Sequence, residues 1–122
     1  MTKRPVAIKV LREHALALGQ GEDDLVREAR ALAAVDHPNV VGVLDCGVED
    51  GRAFVVMELL TGETLAARIE ERGTLRLGEV LPTVLQVLEG LRAVHEVGIV
   101  HRDVKPSNIM LAGGGRWVLT DF

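Results

Sequence analysis

The stretch of sequence that decides the fold reads His101-Arg102-Asp103-Val104-Lys105-Pro106-Ser107-Asn108. Its six informative positions are the His-Arg-Asp triplet, the Lys-Pro pair and the final Asn. If residues were independent, a chance match to all six in so short a chain would be on the order of one in a million. The stretch is polar and contains a proline, which is typical of a loop between regular elements. It is therefore the strongest functional signal in the sequence.

The residues on either side of this loop predict a helix before it and a hairpin after it. Apolar residues at helical spacing predict one long helix over Val80–Val97, which ends at Gly98. The predicted apolar face, with His95 as a core histidine, consists of Val80, Val84, Val87, Leu88, Leu91, Val94 and His95. After the loop, the segments 109–111 and 117–120 flank three glycines and predict two antiparallel strands.

The open end of this predicted hairpin carries two candidate metal ligands. Antiparallel pairing of the two strands brings Asn108 and Asp121 to the same end. An amide oxygen beside a carboxylate is a pair of hard ligands suited to Mg²⁺ that bridges phosphates. The sequence contains no cluster of His, Cys and Asp at the spacing of a zinc site. The pattern therefore favours magnesium over zinc.

The first half of the chain predicts a small sheet with one helix. Alternation predicts a strand over Val6–Leu11 with Ala7 and Lys9 on one face. Asp23 and Asp24 suit the start of a helix, whose predicted apolar stripe is Leu25, Ala29, Leu32 and Ala33. Two further strands are predicted over the segments 40–44 and 53–60, joined by a turn at residues 49–51.

The helix of this first half offers an anion that could hold a strand lysine. Glu28 lies three residues beyond Leu25, about 60° from the centre of the apolar stripe at ~100° per residue. Its side chain is therefore expected at the edge of the buried face. After the last strand, Thr61-Gly62 interrupts the pattern, and Leu65–Glu71 predicts a short helix.

The loop and the segments around it resemble the catalytic machinery of eukaryotic-type (Hanks-type) Ser/Thr protein kinases, including those of bacteria. The resemblance implies that Asp103 orients the substrate hydroxyl and accepts its proton. It implies that Lys105 contacts the transferred phosphate, which is typical of Ser/Thr rather than Tyr kinases. It also assigns Mg²⁺ to Asn108 and Asp121, because Asp121-Phe122 is similar to the start of the Asp-Phe-Gly motif.

The resemblance extends upstream to the nucleotide site. Val6-Ala7-Ile8-Lys9 is similar to the Val-Ala-Ile-Lys strand of the family. This implies that Ala7 covers the adenine of ATP and that Lys9 reaches its phosphates, held by Glu28. The segment 54–62 resembles the fifth strand and hinge. The implied base and ribose contacts are Met57 as gatekeeper, the backbone of Glu58 and Leu60, Thr64 at the ribose and Met110 as the pocket floor.

The fold that this resemblance implies is α+β, a bilobal protein-kinase-like fold that is truncated. Residues 1–60 are expected to form part of the N-lobe with the hinge, and residues 61–122 part of the C-lobe. No Gly-rich G-x-G-x-x-G loop precedes Lys9, and the activation segment is expected beyond Phe122. The chain alone is therefore expected to be inactive. The long helix 80–97 is expected to expose an apolar stripe.

Composition limits the partners of the chain. Its 122 residues are 48% hydrophobic and 26% charged, which is typical of a globular domain. The formal charge of −4 and the low aromatic content disfavour nucleic-acid and membrane-surface binding. Cys46 is the only cysteine, which suits the reducing cytoplasm. The expected partners are ATP and a protein substrate with a Ser or Thr acceptor.

Two other functions remain to be weighed. The first is a non-catalytic interaction fragment or a scaffold of the pseudokinase type. The second is a small-molecule kinase of related fold, which Arg102, Lys105 and Pro106 disfavour because such enzymes usually carry His-Gly-Asp and lack the Lys-Pro pair. Within the motif His101 is interpreted as structural, packed with Phe122 and Leu32. His14 and His37 are interpreted as loop residues.

Overall fold

The computed structural model describes residues 3–10 and 22–122. The helices and strands within these ranges are β1 (Val6–Val10), α1 (Glu22–Ala33), β2 (Val43–Glu49), β3 (Arg52–Glu58), α2 (Leu65–Arg72), α3 (Leu77–Glu96), β4 (Ile109–Ala112) and β5 (Arg116–Leu119). They form two compact units. The first contains the described residues up to Asp36 and Gly42–Leu59, and the second contains His37–Val41 and Leu60–Phe122. The α+β prediction is confirmed. The predicted end of β1 at Leu11, and His14, lie outside the described residues.

The first unit is a three-stranded antiparallel sheet with α1 packed against it. The strand order is β1-β3-β2, and the register places Ala7 opposite Met57 and Lys9 opposite Val55. The turn between β2 and β3 is formed by Asp50 and Gly51, with φ of 52° and 75°. Positive φ at both central residues is the geometry of a two-residue hairpin turn whose twist matches that of the strands. The turn predicted at residues 49–51 is confirmed.

The buried face of α1 differs in part from the predicted stripe. Ala29 and Leu32 are buried as predicted, and Val26 is buried with them. Ala33, the last residue of the helix, is exposed. The position of Leu25 in the stripe lies outside the described side chains. The predicted helix is otherwise confirmed, since α1 begins at Glu22 and runs for 12 residues.

The second unit is built around the hairpin β4–β5 and the long helix α3. The register of the hairpin places Ile109 opposite Leu119, and Ile109, Trp117 and Leu119 form a buried cluster. The segment 39–41 lies beside β5, where the amide of Val41 donates to the carbonyl of Leu119 at 3.0 Å. The prediction of a strand over residues 40–44 is therefore wrong at its start. Residues 40 and 41 pair with β5, and β2 begins only at Val43.

Two glycines of the second unit permit close backbone approach. A Cβ atom on Gly62 would lie 1.7 Å from the carbonyl oxygen of Leu111. A Cβ atom on Gly90, in the middle of α3, would lie 2.6 Å from the carbonyl oxygen of Asn39. Distances this short are not compatible with any side chain unless the backbone moves. These glycines therefore fix how closely the segment 39–41 and strand β4 approach their neighbours.

Helix α3 is confirmed, but its buried face is rotated from the prediction. Its buried residues are Thr83, Gly90 and Val94, whereas Val84 and Leu88 are 45% and 54% exposed and His95 is also exposed. The prediction of His95 as a core residue is wrong. Val87 and Leu91 of the predicted face do pack against the buried cluster of the hairpin, and Val94 is buried as predicted. The rotation follows from the small size of Gly90, which lets the helix approach Asn39 and Leu119 closely.

The rotation of α3 leaves an apolar stripe facing away from the hairpin. The exposed stripe consists of Leu77, Leu81, Val84, Leu85 and Leu88, whose exposed fractions range from 45% to 71%. These positions follow the three- and four-residue spacing of one helix face. The expected exposed stripe is therefore confirmed. No helix among the described residues is long and apolar enough to cross a membrane.

Candidate active site

The loop 101–108 follows α3 and ends in a single 3-10 turn. Gly98, with φ of 80°, closes the helix by donating its amide to the carbonyl of His95 at 3.0 Å. The backbone then turns at Arg102, whose φ of 70° is unusual for a residue with a side chain. Pro106 begins the 3-10 turn that ends at Asn108. The loop is therefore fixed at both ends by ordered turns.

His101 connects this loop to the end of the hairpin. The side chain is buried, and its Nδ1 accepts a hydrogen bond from the amide of Asp103 at 3.1 Å. Its Nε2 lies 2.7 Å from the carbonyl oxygen of Thr120. These two partners assign the neutral ring with its proton on Nε2, because an amide donates and a carbonyl accepts. The ring also contacts Phe122, with centroids 4.5 Å apart, so the predicted structural role is supported, whereas its packing with Leu32 stays a prediction.

Asp103 and Asn108 form the centre of the site. The side-chain Nδ2 of Asn108 donates to the carbonyl oxygen of Asp103 at 2.9 Å and to its carboxylate Oδ2 at 3.1 Å. The ammonium of Lys105 lies 3.4 Å from the same Oδ2. Oδ1 of Asp103 accepts no hydrogen bond within the described ranges, and 59% of the side chain is exposed. The carboxylate is therefore oriented through one oxygen while the other faces solvent, as a base acting on a bound hydroxyl requires.

The two predicted metal ligands lie at the open end of the hairpin. Asn108 is buried. Its backbone carbonyl oxygen accepts hydrogen bonds from the backbone amide and from the side-chain hydroxyl of Thr120, at 2.9 and 3.1 Å. Because Nδ2 of Asn108 is committed to Asp103, Oδ1 is the side-chain atom left for a cation. Asp121 follows Thr120, is exposed and has φ of 55°. An amide oxygen and a carboxylate at one strand end fit Mg²⁺, which keeps several water or phosphate ligands of its own.

The predicted phosphate ligands of the first unit lie on β1 and α1. Lys9 lies on β1, two residues from Ala7 and therefore on the same face of the strand. Both Lys9 and Glu28 are exposed. The pairing of Lys9 with Glu28, and the role of either residue at a triphosphate, stay predictions.

Some of the groups that are predicted to contact adenine already form hydrogen bonds within the protein. The amide of Glu58 donates to the carbonyl of Gly42, and its carboxylate accepts from the amide of Gly42, both at 2.9 Å. The amide of Glu58 is thus occupied within the protein. Met57 and Leu60 are half-buried, and their contacts to a nucleotide stay predictions.

Thr64 has a structural function that sequence reasoning missed. Its hydroxyl accepts the amide of Ala67 at 3.0 Å and caps the N-terminus of α2. Threonine before an apolar helical pattern is the ordinary signal of such a cap. Thr64 also forms a bridge with Met110, the predicted pocket floor. The ribose contact of Thr64 and the pocket role of Met110 stay predictions.

A partly buried polar network that joins Asn39, α3 and β5 was also missed by sequence reasoning. Oε1 of Gln86, on α3, accepts from the side-chain amide of Asn39 at 3.0 Å and from the backbone amide of Trp117 at 2.8 Å. Asn39 also donates to the carbonyl of Trp117 at 2.8 Å. Fully paired buried networks of this kind fix one arrangement of the surrounding elements. The only sequence signal was a glutamine in the apolar half of a helix, next to predicted core positions.

Comparison with known proteins defines the class to which this fold and site belong. The family model described as the protein kinase domain matches residues 1–122, so the chain belongs to the protein kinase family. The kinase domain of Mycobacterium tuberculosis PknI is similar in structure, with a TM-score of 0.86 and 33% sequence identity, over 96% of this chain and 48% of that one.

Several similar curated proteins are serine/threonine-protein kinases of bacteria. A probable serine/threonine-protein kinase of Bifidobacterium longum is 39% identical over 98% of this chain, and one of Myxococcus xanthus is 42% identical over 93%. PrkC of Bacillus subtilis is 38% identical over 98% of the chain. The chain spans 16%, 14% and 18% of the lengths of these three relatives. The prediction of a bacterial Hanks-type Ser/Thr kinase sequence is confirmed.

Proposed function

We propose that these residues are the central part of an ATP-dependent kinase, which transfers the γ-phosphoryl group to Ser or Thr hydroxyls of proteins. The single observation that supports this most strongly is the hydrogen bond between the Asn108 amide and the Asp103 carboxylate. It joins the group expected to act on the acceptor hydroxyl to the group expected to hold a metal. This pairing holds the two groups at one place in the loop, as transfer to a hydroxyl beside a metal-bound phosphate requires.

In this proposal Asp103 orients the acceptor hydroxyl and takes its proton. Asn108 and Lys105 both hold Oδ2, so the free Oδ1 is the atom that meets the hydroxyl. Positioning supplies most of the catalysis, because phosphoryl transfer needs little covalent participation by the protein. The hydrogen bond from the Asp103 amide to Nδ1 of His101 fixes the backbone of Asp103, and with it the position of the carboxylate.

The phosphates are neutralised by cations from several elements. Bound Mg²⁺ would supply positive charge that offsets the negative charge of the phosphates. Oδ1 of Asn108 and the carboxylate of Asp121 would hold it. Lys105 contacts the transferred group, and Lys9, supported by Glu28, contacts the phosphates behind it. Ala7, Met57, the backbone of Glu58 and Leu60, Thr64 and Met110 receive the adenosine part of ATP.

Replacement of Asp103 tests the proposed reaction. A chimera is made in which residues 1–122 replace the matching half of the PknI kinase domain, and transfer of labelled phosphate to a generic basic protein is measured. We expect Asp103→Asn to lower the rate by about 10²–10⁴-fold, the usual effect of losing a positioned acid or base. The matched control is Asp36→Asn, which neutralises an exposed aspartate outside the loop. Transfer within threefold of the unmodified chimera would contradict the role of Asp103.

The alternative function is that of a kinase-like scaffold without activity. It predicts a folded chimera that transfers no phosphate even with Asp103 intact, and circular dichroism distinguishes this outcome from misfolding. We place the proposed activity in the cytoplasm, where ATP and Mg²⁺ are available. The net charge of −4 favours protein substrates over nucleic acids and anionic membranes as partners.

A further inference from the structure

The second unit contains a groove that the proposed reaction does not use. It lies between the end of α2, the first half of α3 and the glycine turn between β4 and β5, with a volume of about 350 Å³. Its polar lining includes Arg68, Arg72, Glu79 and Gln86, and its apolar lining includes Leu75, Pro82 and Trp117. Pockets of ~300 Å³ or more are large enough to receive side chains of a bound peptide.

Arg72 presents an unused hydrogen-bonding edge at this groove. Its Nη1 donates to both carboxylate oxygens of Glu79, at 3.0 and 3.1 Å. Among the described residues, nothing accepts from its Nε or its Nη2. These two groups form the planar fork that binds a carboxylate through two parallel hydrogen bonds. Because about half of each side chain is exposed, the existing ion pair stabilises the unit little.

Arg68, one helical turn earlier, adds a second donor. Its Nε and Nη2 both face Oε1 of Glu63, which leaves Nη1 as its uncommitted nitrogen. Its guanidinium lies over the indole ring of Trp117, with 5.1 Å between the guanidinium carbon and the ring centroid. This stacking holds the group in place before any ligand arrives. Arg68 and Arg72 lie on the same face of α2, since they are four residues apart.

The other polar groups of the groove are already paired. The hydroxyl of Thr83 donates to the carbonyl of Glu79 at 2.8 Å, and Oε1 of Gln86 accepts the amide of Trp117 at 2.8 Å. The carboxylate of Glu79 also lines the groove, where Nη1 of Arg72 holds it. The donors that stay uncommitted are therefore on the guanidinium groups of the two arginines. Leu75 and Pro82 supply an apolar surface beside it.

From these contacts we propose that the groove binds a short acidic segment of a partner protein. One carboxylate of the segment binds the fork of Arg72, and a donor of Arg68 contacts the next acidic group. An aliphatic side chain between them packs against Leu75 and Pro82. The site is separate in its residues from the groups proposed for phosphoryl transfer, so it would select partners without taking part in the chemistry.

Trp117 allows binding to be measured directly, because it is the only tryptophan of the chain and it lines the groove. The probe is the capped peptide acetyl-Leu-Glu-Leu-Glu-amide, titrated into the 122-residue chain while the emission of Trp117 is recorded. We expect a saturable change that weakens with added salt. The uncharged peptide acetyl-Leu-Gln-Leu-Gln-amide should bind about tenfold or more weakly, the factor expected from losing a charge-assisted pair. Equal binding of the two peptides, or no saturable change, would overturn the proposal.

Matched variants separate this site from general attraction between charges. Arg72→Gln removes the fork from an exposed position, so the fold should persist, and we expect the affinity for the acidic peptide to fall about tenfold. Arg92→Gln removes another exposed arginine that pairs with two glutamates on α3, and it should leave the affinity unchanged. An equal loss in both variants would overturn the proposal. So would inorganic phosphate that displaces the peptide at equal concentration, since this would identify a simple anion site.

Discussion

At the scale of the residue, the hydroxyl of Thr120 is the least expected part of the candidate site. It donates to the Asn108 carbonyl at 3.1 Å in a buried environment. We expect Thr120→Val, which keeps the shape and removes the donor, to lower the free energy of unfolding by about 0.5–1.5 kcal/mol. Thr120→Ser keeps the donor and should lose less. Urea unfolding of the two variants and the unmodified chain measures the difference, and a Val variant as stable as the Ser variant would contradict this function of the hydroxyl.

Some residues of the candidate site could be predicted from the sequence, and others could not. Asp103, Asn108 and Asp121 were predicted as site residues because a motif fixes their types and spacing, and the hairpin prediction placed the last two at one strand end. Thr120 and Gln86 were missed because their partners are backbone groups far away in the chain. Sequence patterns report which residues are buried but not which distant carbonyl a hydroxyl or amide will meet. Polar contacts of this kind follow only from tertiary structure.

At the scale of the element, Gly90 decides how α3 packs. Alanine ordinarily stabilises a helix interior by up to ~1 kcal/mol relative to glycine. At Gly90, however, the added Cβ would lie 2.6 Å from the Asn39 carbonyl and 3.0 Å from a methyl carbon of Leu119. We therefore expect Gly90→Ala to destabilise the chain by about 1–3 kcal/mol, as overpacking does.

The control for this prediction lies in the same helix. A Cβ on Gly78 meets no atom within 4 Å, so Gly78→Ala should leave the stability unchanged or raise it slightly. Chemical unfolding followed by circular dichroism compares the two variants. If Gly90→Ala were as stable as Gly78→Ala, the close approach of the segment 39–41 to α3 would be wrong.

The sequence predicted where helix α3 lies in the chain better than it predicted which face of the helix is buried. Helical spacing of apolar residues located the helix to within three residues at its start and one at its end. The same pattern could not orient it, because α3 has apolar residues on two faces, one around Val94 and one around Leu85. The choice between them depends on Gly90 and Thr83, whose small size matters only once the hairpin is present. Packing geometry therefore shifted the buried face, although Val87, Leu91 and Val94 of the predicted face stayed on it.

At the scale of the whole molecule, the exposed stripe of α3 should control solution behaviour. Exposed apolar surface of this extent promotes association in water. The Leu81→Lys and Leu85→Glu double variant replaces two stripe residues, 52% and 61% exposed, by an i, i+4 pair of opposite charge. Because neither side chain supports the core, we expect the fold to persist while self-association falls.

Sedimentation velocity over a range of concentrations measures this effect. The unmodified chain is expected to shift to larger species as its concentration rises, and the double variant to remain a monomer with an unchanged circular dichroism spectrum. A second double variant, Glu89→Lys with Glu96→Lys, changes charge on α3 outside the stripe and should associate as the unmodified chain does. If the unmodified chain stays a monomer, or if both double variants dissociate it equally, the stripe is not the surface through which the molecules associate. The physical reason for association through the stripe is that its five residues form one apolar row. Burial of this row against a second molecule gains ~25 cal/mol for each Å² of apolar surface removed from water.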